Sequence, residues 1–390
     1  MDFDLTPEQT EWREAVRSFL SRHLTPELRD ELLALGFSHS PLVQQFQKEV
    51  ADQGWWGVNW PVEYGGLDKT AMEQLILIDE LEYAGAPSLP LTVTSLGPMI
   101  IRFGTEENKR DWLPLVTRGE ATFALGYSEP DAGTDLASLR TKAELDGDEW
   151  IINGQKIWNS EAHLATHEWL AVRTDPDAPK HRGISVIIVP IDSPGITIQP
   201  LWTWGDVRTN QVYFEDVRVP KGNLIGEVNQ GWYYIVGALA FERMALGTTG
   251  SLRRLFDDLV DFCGRTMFDG QTLSERPEVQ LRLAELAVDL EVSQLFSLQT
   301  ATLMDAGGIP AKEASMQKVF TTELRTKLAD WGTQIVDLYG QLHQSDEDAA
   351  LSGRLERAYR MAPFLRFGGG TNEVMRSIIA ERGLGLPRST

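Results

Sequence analysis

Glu242 has the setting of a proton acceptor. It follows Ile235 by seven residues and Leu239 by three, and it precedes Leu246 by four, so on a helix it projects from an apolar stripe. Lost hydration raises a carboxylate's pKa above the usual ~4.3, which suits it to take a proton near neutral pH. Buried ion pairs put carboxylates on apolar faces too. Arg243, however, is turned away by about 100° around the helix and does not naturally face it. Three polar strings could complete a site. Tyr127-Ser128-Glu129-Pro130-Asp131-Ala132-Gly133-Thr134-Asp135 is a sharp turn rich in hydroxyls and backbone amides. It fits a polar planar ligand or an ordinary self-satisfied loop equally well. Asn153-Gly154-Gln155-Lys156-Ile157-Trp158-Asn159-Ser160 comes next, and Gly368-Gly369-Gly370-Thr371-Asn372-Glu373 lies near the C-terminus.

The elements that must position these residues fall into three stretches. Thr6, Pro7 and Gln9 form a capping box that opens a helix, and Trp12, Val16, Phe19 and Leu20 give it one buried stripe. Further helices are predicted over 41–54 and 71–83, with a Gly/Trp/Pro loop between them. From Ala121 the pattern becomes β-rich. Strands are predicted over 121–128, 141–145, 149–153, 155–160, 168–174, 183–192, 195–204 and 211–219, with Asp146-Gly147 and Asn153-Gly154 as turns. Helical periodicity returns at Gly231 and continues through 278–303, 311–339 and 372–382. The predicted fold class is α+β multidomain: an N-terminal helical domain (1–120), a central antiparallel β-barrel or sandwich (121–230) and a C-terminal four-helix-bundle-like domain (231–390).

Composition excludes several functions. With 57 acidic against 36 basic side chains the formal charge is -21, which disfavours nucleic acid and anionic membranes as partners. Cys263 is the single cysteine, so no internal disulfide or multi-thiolate metal site can form. The six histidines are scattered; His163 and His167 are four apart with no third ligand nearby, and no metal is assigned. No apolar run approaches the ~18 residues of a membrane span. The acidic Met-Asp-Phe-Asp start lacks the basic residues of a secretory signal, and a cytoplasmic location is expected. The chain has no G-x-G-x-x-G after a strand, no P-loop, no H-E-x-x-H and no G-x-S-x-G.

Together the three polar strings resemble those of the acyl-CoA dehydrogenase family, over nearly the whole chain. Further matches are the Gly-Trp…Trp-Pro…Tyr-Gly-Gly loop at 54–66, Gly104-Thr105-Glu106, Val217-Arg218-Val219-Pro220, Glu242-Arg243 and the closing Leu384-Gly385-Leu386-Pro387-Arg388. The resemblance implies an FAD enzyme of lipid metabolism, in fatty acid or steroid catabolism, that removes two hydrogens from the α and β carbons of an acyl-CoA. It implies that Leu125, Tyr127, Ser128 and Thr134 line the flavin and that Trp158 and Ser160 cover its other side. By the same match Arg265 and Phe268 reach the FAD of a neighbouring subunit, while Thr371 and Glu373 contact its diphosphate and adenosine. Thr134, Arg243 and Gly369 match substrate-contacting positions. An electron-transfer flavoprotein is the implied oxidant, and a homo- or hetero-oligomer, dimer or tetramer, the implied assembly.

Two departures matter. Gly369 stands where many relatives carry the catalytic glutamate. In isovaleryl- and long-chain-type dehydrogenases the base comes instead from the long helix after the β domain, which matches Glu242 and implies a branched or bulky acyl group. Arg276 and the segment Leu338–His343 replace residues that relatives use for cross-subunit FAD contacts, as in a subgroup that pairs two different subunits. Alternatives to the dehydrogenase are a non-catalytic partner subunit and a flavin oxidase on the same fold.

Overall fold

A computed structural model describes residues 3–35, 40–308 and 310–387. Its α-helices are α1 (Pro7–His23), α2 (Pro26–Leu35), α3 (Pro41–Asp52), α4 (Ala71–Ala84), α5 (Gly97–Phe103), α6 (Glu106–Thr117), α7 (Gly231–Leu246), α8 (Gly250–Arg265), α9 (Pro277–Asp305), α10 (Ala311–Ile335), α11 (Arg354–Phe367) and α12 (Asn372–Ile378). The strands are β1 (Phe123–Gly126), β2 (Lys142–Asp146), β3 (Glu149–Ile157), β4 (His167–Arg173), β5 (Ile184–Pro190), β6 (Ile196–Trp202), β7 (Arg208–Pro220) and a short pair, β8 (Met267–Phe268) and β9 (Gln271–Thr272). The architecture is helical, then β, then helical, as expected. By contacts the chain forms two compact units, one of 1–46, 69–88 and 243–390, the other of 47–68 and 89–242.

The first unit gathers α1, α2 and α4 with α8–α12. The Thr6–Gln9 capping box forms, and Trp12, Val16, Phe19 and Leu20 are the buried residues of α1. Trp12 Nε1 donates to Glu73 O on α4 (2.9 Å). Asp305, at the end of α9, accepts from the Ala71 and Met72 amides (2.6 and 3.2 Å) and so satisfies orphan donors at the start of α4. Leu252, Leu259, Leu286, Leu290, Leu328 and Leu355 form the centre of the core, each contributing about 1.5–3 kcal/mol by burial.

The second unit holds α5, α6, the seven-stranded sheet and α7 as far as Glu242. The strand order is β1-β4-β2-β3-β7-β6, with β5 against the other edge of β4. Trp150, Ile152, Leu170, Val172, Val212 and Phe214 are at its core. Most neighbours are antiparallel, but β1 and β2 both pair with β4 in parallel. The expected turn at Asn153-Gly154 is a bulge inside one continuous strand. Register with β7 shifts between Ile152 and Gly154. Gly154 takes φ 152°, and a Cβ there would lie 2.6 Å from the Thr141 backbone. That close approach is why glycine sits mid-strand.

Candidate active site

In the sheet unit, β1 runs straight into the 127–135 turn. Glu129 and Ala132 exchange backbone hydrogen bonds of 2.9 and 3.0 Å, and Ser128 O accepts from Ile157 N (2.9 Å), which ties this turn to the end of β3. Leu125 lies half-buried opposite Trp169, Ser128 is half-buried, and Thr134 is exposed. Trp158 adopts φ 65° and leaves 56% of its surface exposed, with exposed Ser160 closing the turn onto Trp158 O at 2.9 Å. An open indole flanked by hydroxyls and turn amides matches the donor set a flavin ring would use.

Tyr127 points inward. Its hydroxyl is buried and has no hydrogen-bond partner among the described residues. Burial first, then the negative charge of Glu242, pushes its pKa well above the usual phenol value. The sheet unit therefore brings Glu242 within electrostatic reach of the 127–135 turn. Glu242 itself is half-buried on α7. One turn earlier, Ala238 O accepts a 2.7 Å bond from Ser95 Oγ. Ser95 belongs to a buried π-helical turn over Thr92–Leu96, a rare element that is frequent at functional sites.

Lys156, which motif reading passed over, holds the turn from behind. Its side chain is fully buried, and Nζ donates to Tyr127 O (3.1 Å) and Glu129 Oε1 (2.8 Å). Burial raises the Glu129 pKa, but the Lys156 charge and bonds from Lys156 and Thr141 outweigh it, so the carboxylate stays below its ordinary value. Burial pulls Lys156 down, against the opposing pull of Glu129.

In the helical unit, Gly369 takes φ 66° and Gly370 φ 97°. Lys318, also fully buried, donates to Arg366 O (3.0 Å), Gly370 O (2.9 Å) and Asn372 Oδ1 (2.8 Å). Arg243 is buried and gives Nε to Gly369 O at 2.8 Å, so part of its guanidinium holds this loop. Thr371 is the N-cap of α12, accepting from Val374 N (3.2 Å), and Glu373 is exposed in the first turn. Arg265 and Phe268 stand exposed around the β8–β9 hairpin, whose tip Asp269-Gly270 has φ 49° and 83°. Arg276 turns to this hairpin, its Cζ 5.0 Å from the Phe268 ring centroid.

The joint between α7 and α8 is fixed by a second set of residues that sequence reading missed. Asp79 accepts from the Thr249 and Gly250 amides, both 3.1 Å. Burial, then the charge of Glu82, pushes its pKa up to about 7. Arg325 donates to Ser251 Oγ (3.0 Å) and Thr248 O (3.3 Å). Charged residues at buried helix positions were the available signal.

Residues 6–120, 124–217 and 229–384 match, in turn, the acyl-CoA dehydrogenase N-terminal, middle and C-terminal domains. Acyl-CoA dehydrogenase FadE26 of Mycobacterium tuberculosis is 41% identical over 100% of both chains. Among solved structures, the Tcur3481-Tcur3483 steroid ACAD aligns with a TM-score of 0.92 and 37% identity over 100% of both chains. The ChsE4-ChsE5 complex from Mycobacterium tuberculosis aligns with a TM-score of 0.91 and 41% identity, again over 100% of both. Among the described residues, no helix is long and apolar enough to cross a membrane.

Proposed function

We propose that this chain, which belongs to the acyl-CoA dehydrogenase family, uses Glu242 as the base in α,β-dehydrogenation of a bulky acyl-CoA. Family members are FAD-dependent oxidoreductases, and so is this protein. The observation that supports the base assignment is a half-buried Glu242 on α7 within electrostatic reach of the buried Tyr127 in the 127–135 turn. A Glu242 carboxylate oxygen takes the proton from the substrate α-carbon. Gly369 has no side chain to do so, and its carbonyl is engaged by Arg243.

Leu125, Tyr127, Ser128, Thr134, Trp158 and Ser160 would hold the flavin ring. Thr371 and Glu373 would meet the diphosphate and adenosine, and Arg265 and Phe268 a neighbouring subunit's cofactor. Bound FAD would supply the two-electron acceptor for hydride from the β-carbon. Arg243, which holds Gly369 O, would keep that loop in place for substrate. The likeness to a steroid ACAD and to a two-component complex supports a polycyclic acyl group and a heteromeric assembly for this chain. Electron-transfer flavoprotein is the proposed oxidant. Anaerobic titration with linear, branched and steroid-derived acyl-CoA thioesters tests this reading. Flavin bleaching is expected, strongest with the bulky acyl groups; no bleaching by any thioester would remove the dehydrogenase assignment.

A further inference from the structure

The two turns proposed to face the flavin meet at one buried carboxyl. Glu168 lies on β4 beside Ala124 of β1, and its side chain is fully buried. A Cβ on Gly126 would lie 2.5 Å from Glu168 Oε1 and 3.0 Å from its Cγ. The carboxyl therefore fills the space at the last residue of β1, where the chain passes into Tyr127 and Ser128. From the other side, Asn159 Nδ2 donates to Glu168 Oε1. Asn159 is fully buried between Trp158 and Ser160. Its amide N donates to Asn210 O (3.1 Å), and its carbonyl accepts from Asn210 Nδ2 (2.8 Å).

Two acceptors in this dry spot, Asn159 Oδ1 and Glu168 Oε2, have no hydrogen-bond partner among the described residues. A primary amide and a carboxylic acid satisfy each other through two parallel bonds when the acid keeps its hydrogen; a carboxylate would leave both oxygens without one. Lys156 is engaged with Glu129, and one ammonium cannot fully balance two carboxylates. Burial pushes the Glu168 pKa up to about 8 against the pull of Lys156 and the Asn159 bond. Among the described residues, the charged and titratable groups around this network are Lys156 on β3, Glu129 in the turn after β1, Arg173 at the end of β4, Arg208 on β7, whose Nε donates to Asn210 Oδ1 (3.0 Å), and His163, whose Nδ1 is 3.1 Å from Asn210 Nδ2.

We propose that Glu168 is a positioning residue for the flavin site: its carboxylic acid, paired with the Asn159 amide, holds Gly126–Ser128 and Trp158–Ser160 in fixed relation. This rests on the reading of those two segments as flavin-facing. FAD dissociation constants and flavin absorbance of the holoenzyme test it. Glu168→Leu is expected to weaken FAD binding by at least about tenfold and to shift the flavin band. Glu168→Gln, whose amide pairs with Asn159, restores both. Affinity in the unaltered protein should fall above pH 8 and stay level in Glu168→Gln. If Glu168→Leu does not fold, Gly126→Ala carries the same expectation, since its methyl displaces Glu168 Oε1. A Leu variant that binds FAD normally, or a Gln variant as weak as Leu, overturns the proposal. Ser128→Ala and Trp158→Ala separate the two failures. If neither alters FAD affinity or spectrum, the flavin-facing reading is wrong; if they do while the Glu168 variants do not, only the brace is.

Discussion

Lys156 in the sheet unit and Lys318 in the helical unit are both fully buried, and each anchors a loop that carries motif residues. They do so by different chemistry. Lys156 meets a carboxylate, Glu129, and one carbonyl; Lys318 gives three bonds to neutral oxygens of the Arg366–Asn372 loop. An ion pair makes the first turn depend on two charges being kept together, because either alone in the interior is costly. A set of neutral acceptors spreads the second loop's dependence over several weaker bonds. In the sheet unit, the 127–135 turn is thus braced by opposite charge.

The largest effect is expected at the proposed base. Glu242→Gln is expected to lower kcat/KM by about 10²–10⁴-fold or more, with flavin absorbance retained; an unchanged rate would end its assignment as base. Next, the two lysines should separate under denaturant. Lys156→Met strands Glu129 and is expected to cost about 3–5 kcal/mol, whereas Lys318→Met leaves neutral oxygens unpaired at about 1–3 kcal/mol. Adding Glu129→Gln to Lys156→Met should recover part of the loss. Equal costs for the two lysines would erase the distinction.

A third test uses one carboxyl from each unit. Glu168 and Asp79 have pKa values pushed up to about 8 and about 7. Between their ordinary values and these, the folded chain binds more protons than the unfolded one, so stability falls as pH rises through that window. Urea midpoints between pH 5 and 8.5 should show this decline, and Glu168→Gln and Asp79→Asn should each flatten it. A decline unaltered in both variants would mean that neither group is perturbed. The smallest effect is expected at Thr371→Ala, where loss of the α12 cap costs about 1 kcal/mol, read as a small shift in melting temperature.

Local physics made much of the fold legible. The capping box at Thr6 and the Trp12–Leu20 stripe depend on residues a few positions apart, and both formed as expected. The Asp146-Gly147 turn likewise needs no distant partner: Gly147 takes φ 63° between β2 and β3. Asn153-Gly154 misled for the opposite reason. Its composition is that of a turn, but Thr141, immediately before β2, demanded a glycine there, and only the β2–β3 pairing brings Thr141 near. Carboxyl environments divided in the same way. The half-buried helical setting of Glu242 was legible from its spacing, whereas Glu168 sits in a strand whose neighbours give no hint that Gly126 and Asn159 converge on it.

Sequence alone determined the alternation of helical and β regions, the helix ends and the motif strings, because periodicity, capping and turn chemistry act over a few residues. Tertiary structure alone decided which charges are buried together, and with what partners. Lys156 with Glu129, Glu168 with Asn159 and Lys318 with Gly370 are separated by 27, 9 and 52 residues. Their energetics depend on desolvation, which exists only once the surrounding chain has folded over them.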